Sequence, residues 1–403
     1  MNRKKSTEGN TGKHKVFMHL HICLVEDHYN PLGIVRSLGE AGIRPIVLLC
    51  TPKPKLVNCS RYVGTCRCFP SIEDAYEFMV KTYGNEPLKP FVYNGSDNIT
   101  LLLDNHYEEI KDKFYFCNGA GGLDRYLQKY NLTLLAKECG CNIPAECLLL
   151  RGELPVSLKY PVITKAYTSA NGGDWKSDSF ICSSADELKM AYQKIKCDKV
   201  LVQEFIHKKN EYCIDGISIN GGEEIFMPFA ASYFRFTPES YGAYMYFNTF
   251  TDEDLISKIK QIIKKSRYTG IFCVEFLIDQ NDEYYFLEVN YRNSGWSYAF
   301  TYGGFNLPFM WAKSTLDQKI NLADLNLKKT QFTAIAEEED FQMTVKSRRM
   351  GIRKWLVEVY HADCLFLFNK KDPLPFWNTF FHRISGKAAK FILHFSIGRK
   401  DRT

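Results

Sequence analysis

The residues best suited to chemistry lie in two strand-like segments, 271–279 (IFCVEFLID) and 284–292 (YYFLEVNYR). The four polar residues between the segments predict an antiparallel hairpin. If the last residue of the first segment pairs with the first residue of the second, Glu275 lies directly opposite Glu288. Two carboxylates about 5 Å apart on one face of a sheet repel each other, so they need a partner that neutralises them.

Asn290 shares the face of Glu288, because side chains alternate along a strand. Two carboxylates and an amide oxygen are hard donors that suit Mg²⁺ or Mn²⁺, with phosphate oxygens and waters completing an octahedron. Arg292, at the end of the same segment, offers a planar cation to a phosphate or a carboxylate. The alternative is a hairpin whose acidic residues face water. The flanking residues are apolar, which favours the metal site.

Two earlier segments have features of a nucleotide site. Segment 160–173 (YPVITKAYTSANGG) is a β-branched strand that ends at Lys165 and continues into a loop of small residues. Backbone N–H groups of such a loop can contact phosphates. Segment 200–211 (VLVQEFIHKKNE) is an apolar strand that could offer backbone edges to a purine, with Glu211 accepting from ribose hydroxyls. Taken singly, each also fits an ordinary hairpin loop or edge strand.

Together and in this order, the three segments resemble the ATP-grasp superfamily over roughly 119–311. The most specific match is the pattern V-E-F followed by L-E-V-N-x-R. The resemblance implies that Glu275, Glu288 and Asn290 hold magnesium. It also implies that Arg292 contacts the transferred phosphate or an acyl phosphate.

The resemblance further implies that Lys165 reaches the α- and β-phosphates of ATP. Lys129 matches an earlier lysine of the family, although Gln128 stands where the family usually has Asp. The residues that match the adenine hinge and the ribose acceptor are Gln203, Glu204, Phe205, Ile206 and Glu211.

Within the superfamily the chain resembles carboxylate–amine ligases of the carbamoyl-phosphate-synthase-like and D-aspartate-ligase-like kinds, on segments 30–39 and 302–308. Such a ligase forms an acyl phosphate from ATP and a carboxylate, and an amine then displaces phosphate to give an amide. Arg292 and Lys165 are the expected catalytic cations, and Arg235 is a candidate for holding the substrate carboxylate.

Three alternatives to this ligase remain open. They are another ATP-grasp outcome such as a kinase or carbamoyl-phosphate chemistry, a glycosyltransferase, and a non-catalytic ATP-binding protein. The aromatic segment 237–250 (TPESYGAYMYFNTF) is a candidate substrate lid.

The predicted fold class is α/β in several parts. The strand–turn–helix–strand order of 15–50 predicts a parallel sheet in a first, Rossmann-like α/β domain at 15–118, after a disordered lead at 1–14. The resemblance implies that this is the pre-ATP-grasp domain. A two-lobed α+β ATP-grasp domain is expected at 119–320, and a C-terminal helical extension at 321–403.

Composition limits the class of protein. The length of 403 residues, with 45% hydrophobic and 24% charged residues, excludes bulk disorder and predicts more than one domain. The 14 cysteines follow no secretory signal, so reduced thiols in a cytoplasmic protein are expected. The net charge of +6 lies entirely in 370–403, which disfavours a nucleic-acid binder.

The tail at 374–399 alternates aromatic rings with Arg and Lys, as does an amphipathic segment in a lipid headgroup layer. A helix packed on the ATP-grasp domain is the alternative. The expected cofactors are ATP and Mg²⁺ or Mn²⁺, and the expected partners are small carboxylate and amine substrates. Peripheral membrane contact at the inner face, a role in cell-envelope or glycan biosynthesis, and a homodimer are further expectations.

Overall fold

The computed structural model describes residues 14–166, 179–236, 242–322 and 328–381. Residues 167–173 of the predicted phosphate loop, residues 1–13 of the predicted disordered lead and the tail beyond 381 lie outside these ranges.

The N-terminal domain is a five-stranded parallel sheet, which confirms the predicted fold of this part. Its strand order is β3-β2-β1-β4-β5. Its elements are β1 (His21–Val25), α1 (Tyr29–Glu40), β2 (Ile46–Leu49), a 3₁₀ turn (Val57–Cys59), β3 (Thr65–Cys68), α2 (Ile72–Tyr83), β4 (Phe91–Tyr93), α3 (Asp97–Asn105), α4 (Tyr107–Ile110) and β5 (Tyr115–Phe116). The first strand starts later than the sequence indicates, because 14–18 is helical.

A small antiparallel lobe follows two short helices. Its sheet has the order β6-β9-β7-β8. The elements are α5 (Leu123–Leu127), α6 (Lys129–Glu138), β6 (Glu146–Leu150), β7 (Val162–Ala166), β8 (Ile181–Cys182), α7 (Ala185–Tyr192) and β9 (Lys199–Glu204). Leu188 and Tyr192 of α7 pack on Val162 and Val200, so one helix covers the apolar face of this sheet.

The large lobe is a seven-stranded sheet of order β14-β13-β10-β11-β12-β15-β16. Its elements are β10 (Asn210–Ile219), a 3₁₀ turn (Asn220–Gly222), β11 (Glu224–Tyr233), β12 (Tyr244–Thr249), α8 (Glu253–Lys265), β13 (Gly270–Ile278), β14 (Tyr284–Asn290), α9 (Ser297–Gly303), α10 (Leu307–Asp317), β15 (Gln331–Ile335), α11 (Glu337–Phe341), a π-helical turn (Gln342–Lys346), α12 (Ile352–His361) and β16 (Cys364–Leu365).

Two sequence expectations change in this lobe. The segment after 320 is not simply a helical extension, because β15 pairs antiparallel with β12 and β16 pairs parallel with β15. The candidate lid at 237–250 contains strand β12, which lies between β11 and β15. Residues 237–241 of that segment are outside the described ranges.

The C-terminal segment is fastened to the N-terminal domain by a buried ion pair. Arg36 on α1 donates through Nε to Asp372 at 2.9 Å, and neither side chain is exposed. Asp372 also accepts from the hydroxyl of Ser60 and the backbone N–H of Arg61. Because both charges have several partners, this contact fixes where the last described residues lie.

No helix in the described part of the chain is long and apolar enough to cross a lipid bilayer. The predicted membrane tail is only partly described. Residues 374–381 are helical, with the rings of Trp377, Phe380 and Phe381 exposed, whereas 382–399 lie outside the described residues. Membrane contact through this tail stays a prediction.

Candidate active site

The hairpin of β13 and β14 closes differently from the sequence expectation. Ile278, rather than Asp279, lies opposite Tyr284. Asp279 instead organises the turn, because its backbone N–H donates to Glu283 at 3.1 Å and its carboxylate accepts from the backbone of Asn281 at 2.8 Å. The predicted closing pair was therefore wrong by one residue.

A β-bulge nevertheless brings the two acidic residues face to face, as predicted. Phe276 lies opposite Phe286, whereas Glu275 lies opposite Glu288, so Leu287 is an extra residue on β14. A bulge inserts one unpaired residue and shifts the register beyond it. The shift offsets the change at the turn, and the Glu275–Glu288 pair is confirmed.

Asn290 joins the two carboxylates on this face. Its Nδ2 donates to Oε1 of Glu275 at 2.9 Å and lies 3.4 Å from Oε1 of Glu288. Burial, and next the charge of Glu288, raise the pKa of Glu275 well above its usual value. The paired carboxylates fit a divalent cation, because its charge would stabilise both in their ionised form.

No group of three or more Asp, Glu, His or Cys residues suited to a metal occurs in the described ranges. The hairpin offers two carboxylates, with an amide as the third donor. The oxygen of that amide now accepts from Nη2 of Arg292 at 2.8 Å. A metal that used Asn290 would therefore compete with Arg292 for this oxygen.

Arg292 is held by the N-terminal domain. Its Nε and Nη2 donate to the two carboxylate oxygens of Asp97 at 3.0 and 3.3 Å, and its Nη1 donates to the backbone oxygen of Asn293 at 3.2 Å. Asp97 is the first residue of α3, at the carboxyl end of the parallel sheet, where such sheets bind ligands. The contact orients the guanidinium beside the carboxylate pair.

The small lobe contributes cations to the same region. Lys165, on β7, donates to the side-chain oxygen of Gln203 at 2.8 Å, and Gln203 donates to Glu146 at 2.8 Å. Burial, and next the charge of Lys129, lower the pKa of Lys165 to about 8. An ammonium group whose pKa is lowered by a second ammonium nearby favours an anion between the two.

The predicted adenine hinge contains one backbone N–H that has no hydrogen-bond partner among the described residues. The N–H groups of Glu204 and Phe205 donate to Ala145 and Pro161 at 2.8 and 2.9 Å. The carboxylate of Glu204 accepts from the backbone of Lys159. The N–H of Ile206 donates to no residue in the described part of the chain, so it can donate to a ligand.

Glu211 lies on the same side of the large sheet as Glu275. It pairs with Lys208 at 2.6 Å, and Lys208 also lies 3.3 Å from the hydroxyl of Tyr233. The charge of Glu211 is among the causes that raise the pKa of Glu275. The predicted ribose acceptor and the predicted metal ligands are thus brought together.

Arg235, the predicted holder of the substrate carboxylate, is already paired with two acids in this structure. Its Nη1 donates to both carboxylate oxygens of Asp340 at 2.6 Å, and its Nη2 forms an ion pair with Glu358. A substrate would have to displace two carboxylates that are already in place. Arg235, two residues after the end of β11, links this part of the chain to the C-terminal segment.

Solved structures share the arrangement of most of the chain. An N5-carboxyaminoimidazole synthetase from Staphylococcus aureus is 13% identical, with a TM-score of 0.62 over 82% of this chain and 86% of that one. The chain has the ATP-grasp fold. An L-amino acid ligase from Bacillus licheniformis is 14% identical, with a TM-score of 0.58 and 74% of each chain covered.

A third ATP-grasp structure, a biotin carboxylase–βγ-ATP complex from Campylobacter jejuni, is 15% identical, with a TM-score of 0.59 over 78% of this chain and 74% of that one. No family model matches the sequence, and neither does the sequence of any curated protein.

Three residues of this candidate site were not predicted as site residues. Asp97 could have been found, because its turn follows a strand of the parallel sheet. Glu146 gives no signal, since a lone acid on a strand is common. Asp215 is fully buried on the same face of the large sheet as Glu275. Burial raises the pKa of Asp215 to about 6, and its carboxylate accepts from the hydroxyl of Ser294.

Proposed function

We propose that the protein is an ATP-dependent carboxylate–amine ligase that forms an amide through an acyl phosphate, with Mg²⁺ or Mn²⁺. The observation that carries the proposal is that one site contains both a pair of facing carboxylates and two neighbouring lysines. Glu275 and Glu288 favour a cation between them, whereas Lys129 and Lys165 favour an anion. A metal–nucleotide complex supplies both, because the metal is the cation and the nucleotide phosphates are the anion.

The proposed roles follow from these positions. Glu275, Glu288 and Asn290 would hold the metal, which supplies charge neutralisation to the phosphates of ATP. Lys165 and Lys129 bind the α- and β-phosphates, with the ammonium of Lys165 fixed by Gln203. The backbone N–H of Ile206 donates to the adenine, and Glu211 accepts from the ribose.

Arg292 contacts the phosphate that is transferred, oriented by Asp97. The substrate carboxylate attacks this phosphate and ADP leaves. The amine then attacks the acyl carbon, loses a proton and releases inorganic phosphate. Positioning and neutralisation of charge dominate phosphoryl transfer, so no nucleophilic side chain is required.

The ligase reaction is supported over other ATP-grasp outcomes by the activity of one similar solved protein, the L-amino acid ligase. A kinase or a carbamoyl-phosphate-forming enzyme would use the same nucleotide site. A glycosyltransferase would leave the Glu275–Glu288 hairpin without a purpose, and a non-catalytic protein would have no need of the complete donor set. We also propose, from the sequence alone, that this ligase acts in cell-envelope or glycan biosynthesis.

The test is ATP turnover of the purified full chain with Mg²⁺ against paired panels of carboxylates and amines, followed by mass spectrometry. The expected product is one carboxylate joined to one amine with loss of water, formed in step with ADP. A phosphorylated product that forms without an amine would identify a kinase instead. Absence of ADP formation across both panels, together with absence of ATP binding by calorimetry, would overturn the proposal.

A further inference from the structure

Helix α12 stands on the surface with an uncovered apolar stripe. None of its residues is buried. Ile352, Leu356, Val357 and Tyr360 are 47%, 54%, 56% and 84% exposed. Their spacing places them along one side of the helix. Eight of the twenty exposed large apolar side chains of the described residues lie between Ile352 and Phe381, so the exposure is concentrated in this part of the chain.

The opposite side of α12 fastens it to the protein. Trp355 donates through Nε1 to Asp340 at 2.9 Å and packs edge-on against Phe341. Glu358 forms an ion pair with Arg235. These contacts fix the rotation of the helix, so the exposed stripe is turned away from the body of the protein.

Exposed cations lie on the helix and in the residues just before it. Lys346, Arg348, Arg353 and Lys354 are all exposed, and no acidic residue occurs between 346 and 357. None of these four has an ion-pair partner among the described residues. The nearest acid in the helix, Glu358, is already paired with Arg235. We call these four residues the basic rim.

We propose that α12 docks the protein on an anionic lipid bilayer, with its apolar stripe in the headgroup region and its basic rim over lipid phosphates. Amphipathic helices of this composition bind in the plane of a membrane surface. The inference is independent of the ligase reaction, and it concerns a different surface from the tail predicted from the sequence.

Charge disfavours two other occupants of the stripe. A second copy would bring two basic rims together across a twofold contact, and like charges repel at such an interface. The tail of the chain at 382–403 has six Arg or Lys residues and one Asp, so it is like-charged as well. A bilayer supplies both the apolar depth and the negative charge.

The test is sedimentation of the full chain with phosphatidylcholine vesicles that contain or lack phosphatidylserine, at low and at high salt. The wild type is expected to bind the anionic vesicles at low salt and to be released by high salt. Arg353→Gln/Lys354→Gln is expected to lower partition about 25-fold, since each cation near an anionic surface contributes about fivefold. Leu356→Ser/Tyr360→Ser is expected to lower it at least about tenfold.

Matched controls carry equal changes elsewhere on the surface. Ile181→Ser/Met190→Ser removes side chains of similar exposure, 54% and 57%, and Lys81→Gln/Lys196→Gln removes two exposed cations. Both controls should bind like the wild type, with unchanged circular dichroism in every variant. Equal binding by the α12 variants and the wild type would overturn the proposal. So would a wild type that stays in the supernatant, or a monomer–dimer equilibrium that Leu356→Ser/Tyr360→Ser removes.

Discussion

At the scale of single residues, the site is defined by charges that are unfavourable without a ligand. Glu275 and Glu288 face each other across a hairpin, and Lys165 and Lys129 lie close enough to lower the pKa of Lys165. Sequence reasoning found Glu275 and Glu288 because acids inside apolar strands are conspicuous. It found Lys165 from its place at the end of a strand, and Lys129 from the ATP-grasp resemblance alone.

Glu288→Gln is expected to lower metal-dependent ATP turnover by more than the roughly 10–100-fold that loss of an outer-shell partner costs. One negative charge is removed from the metal site, while repulsion with Glu275 is relieved. The free energy of unfolding should therefore stay equal or rise. Glu283→Gln, in the exposed turn of the same hairpin, is the control and should retain wild-type turnover. Undiminished turnover by Glu288→Gln would contradict the metal assignment.

Lys165→Ala is expected to weaken ATP binding by about 10–100-fold, because a charge-assisted hydrogen bond to phosphate is lost. In the wild type, ATP affinity should fall as pH rises above about 8, the pKa of Lys165. Above that pH the amine is neutral and must take up a proton before it binds phosphate. Calorimetry at several pH values, in buffers of different ionisation enthalpy, measures both effects. An affinity that is independent of pH in the wild type would count against Lys165.

At the scale of elements, the hairpin shows where sequence reasoning reaches its limit. The strand bounds could be predicted to within two residues from alternation and from the turn residues. The Glu275–Glu288 pair was predicted from a closing pair that was wrong by one residue, and it is correct because the bulge at Leu287 restores the register. The bulge itself could not be predicted, because no residue preference marks it. The partners of Arg235 could not be predicted either, since Asp340 and Glu358 are more than a hundred residues away in the chain.

The contact between α3 and the loop after β14 is the element-scale feature with the most direct functional consequence. Asp97→Asn keeps the size of the side chain but weakens its hold on Arg292. Turnover is expected to fall about 10–100-fold, since a small displacement of a positioning group has effects of that size. ATP affinity should stay near that of the wild type. Asp124→Asn, an exposed acid in the first turn of α5, is the control, and equal losses in both variants would show that Asp97 has no special role.

At the scale of the whole molecule, the C-terminal segment joins the domains. It adds β15 and β16 to the large sheet, holds Arg235 through Asp340 and Glu358, and places Asp372 against Arg36 of the N-terminal domain. The domain order was predictable from the succession of elements. The way in which the C-terminal segment joins the domains was not predictable, because strands as short as Cys364–Leu365 leave no periodic pattern.

Asp372→Ala is expected to lower the free energy of unfolding by about 3–5 kcal/mol, because it leaves the fully buried Arg36 without its counter-ion. Glu223→Ala removes an ion pair with Lys264 in which both side chains are 59% exposed. It should cost under about 1 kcal/mol. Denaturant unfolding of the two variants measures the difference. Equal costs would show that the Arg36–Asp372 contact does not join the domains.

The most direct test of the central claim is the transfer of oxygen-18 from the substrate carboxylate to inorganic phosphate during turnover with ATP, Mg²⁺ and an amine. If the carboxylate attacks the γ-phosphate, one of its oxygens becomes the bridging oxygen of an acyl phosphate. The amine then displaces phosphate by breaking the bond between the acyl carbon and that oxygen. Each phosphate released therefore acquires one labelled oxygen, and each ADP is matched by one amide. Glu288→Gln should give neither product at a measurable rate. Amide or ADP formed alongside unlabelled phosphate would contradict the acyl-phosphate ligase.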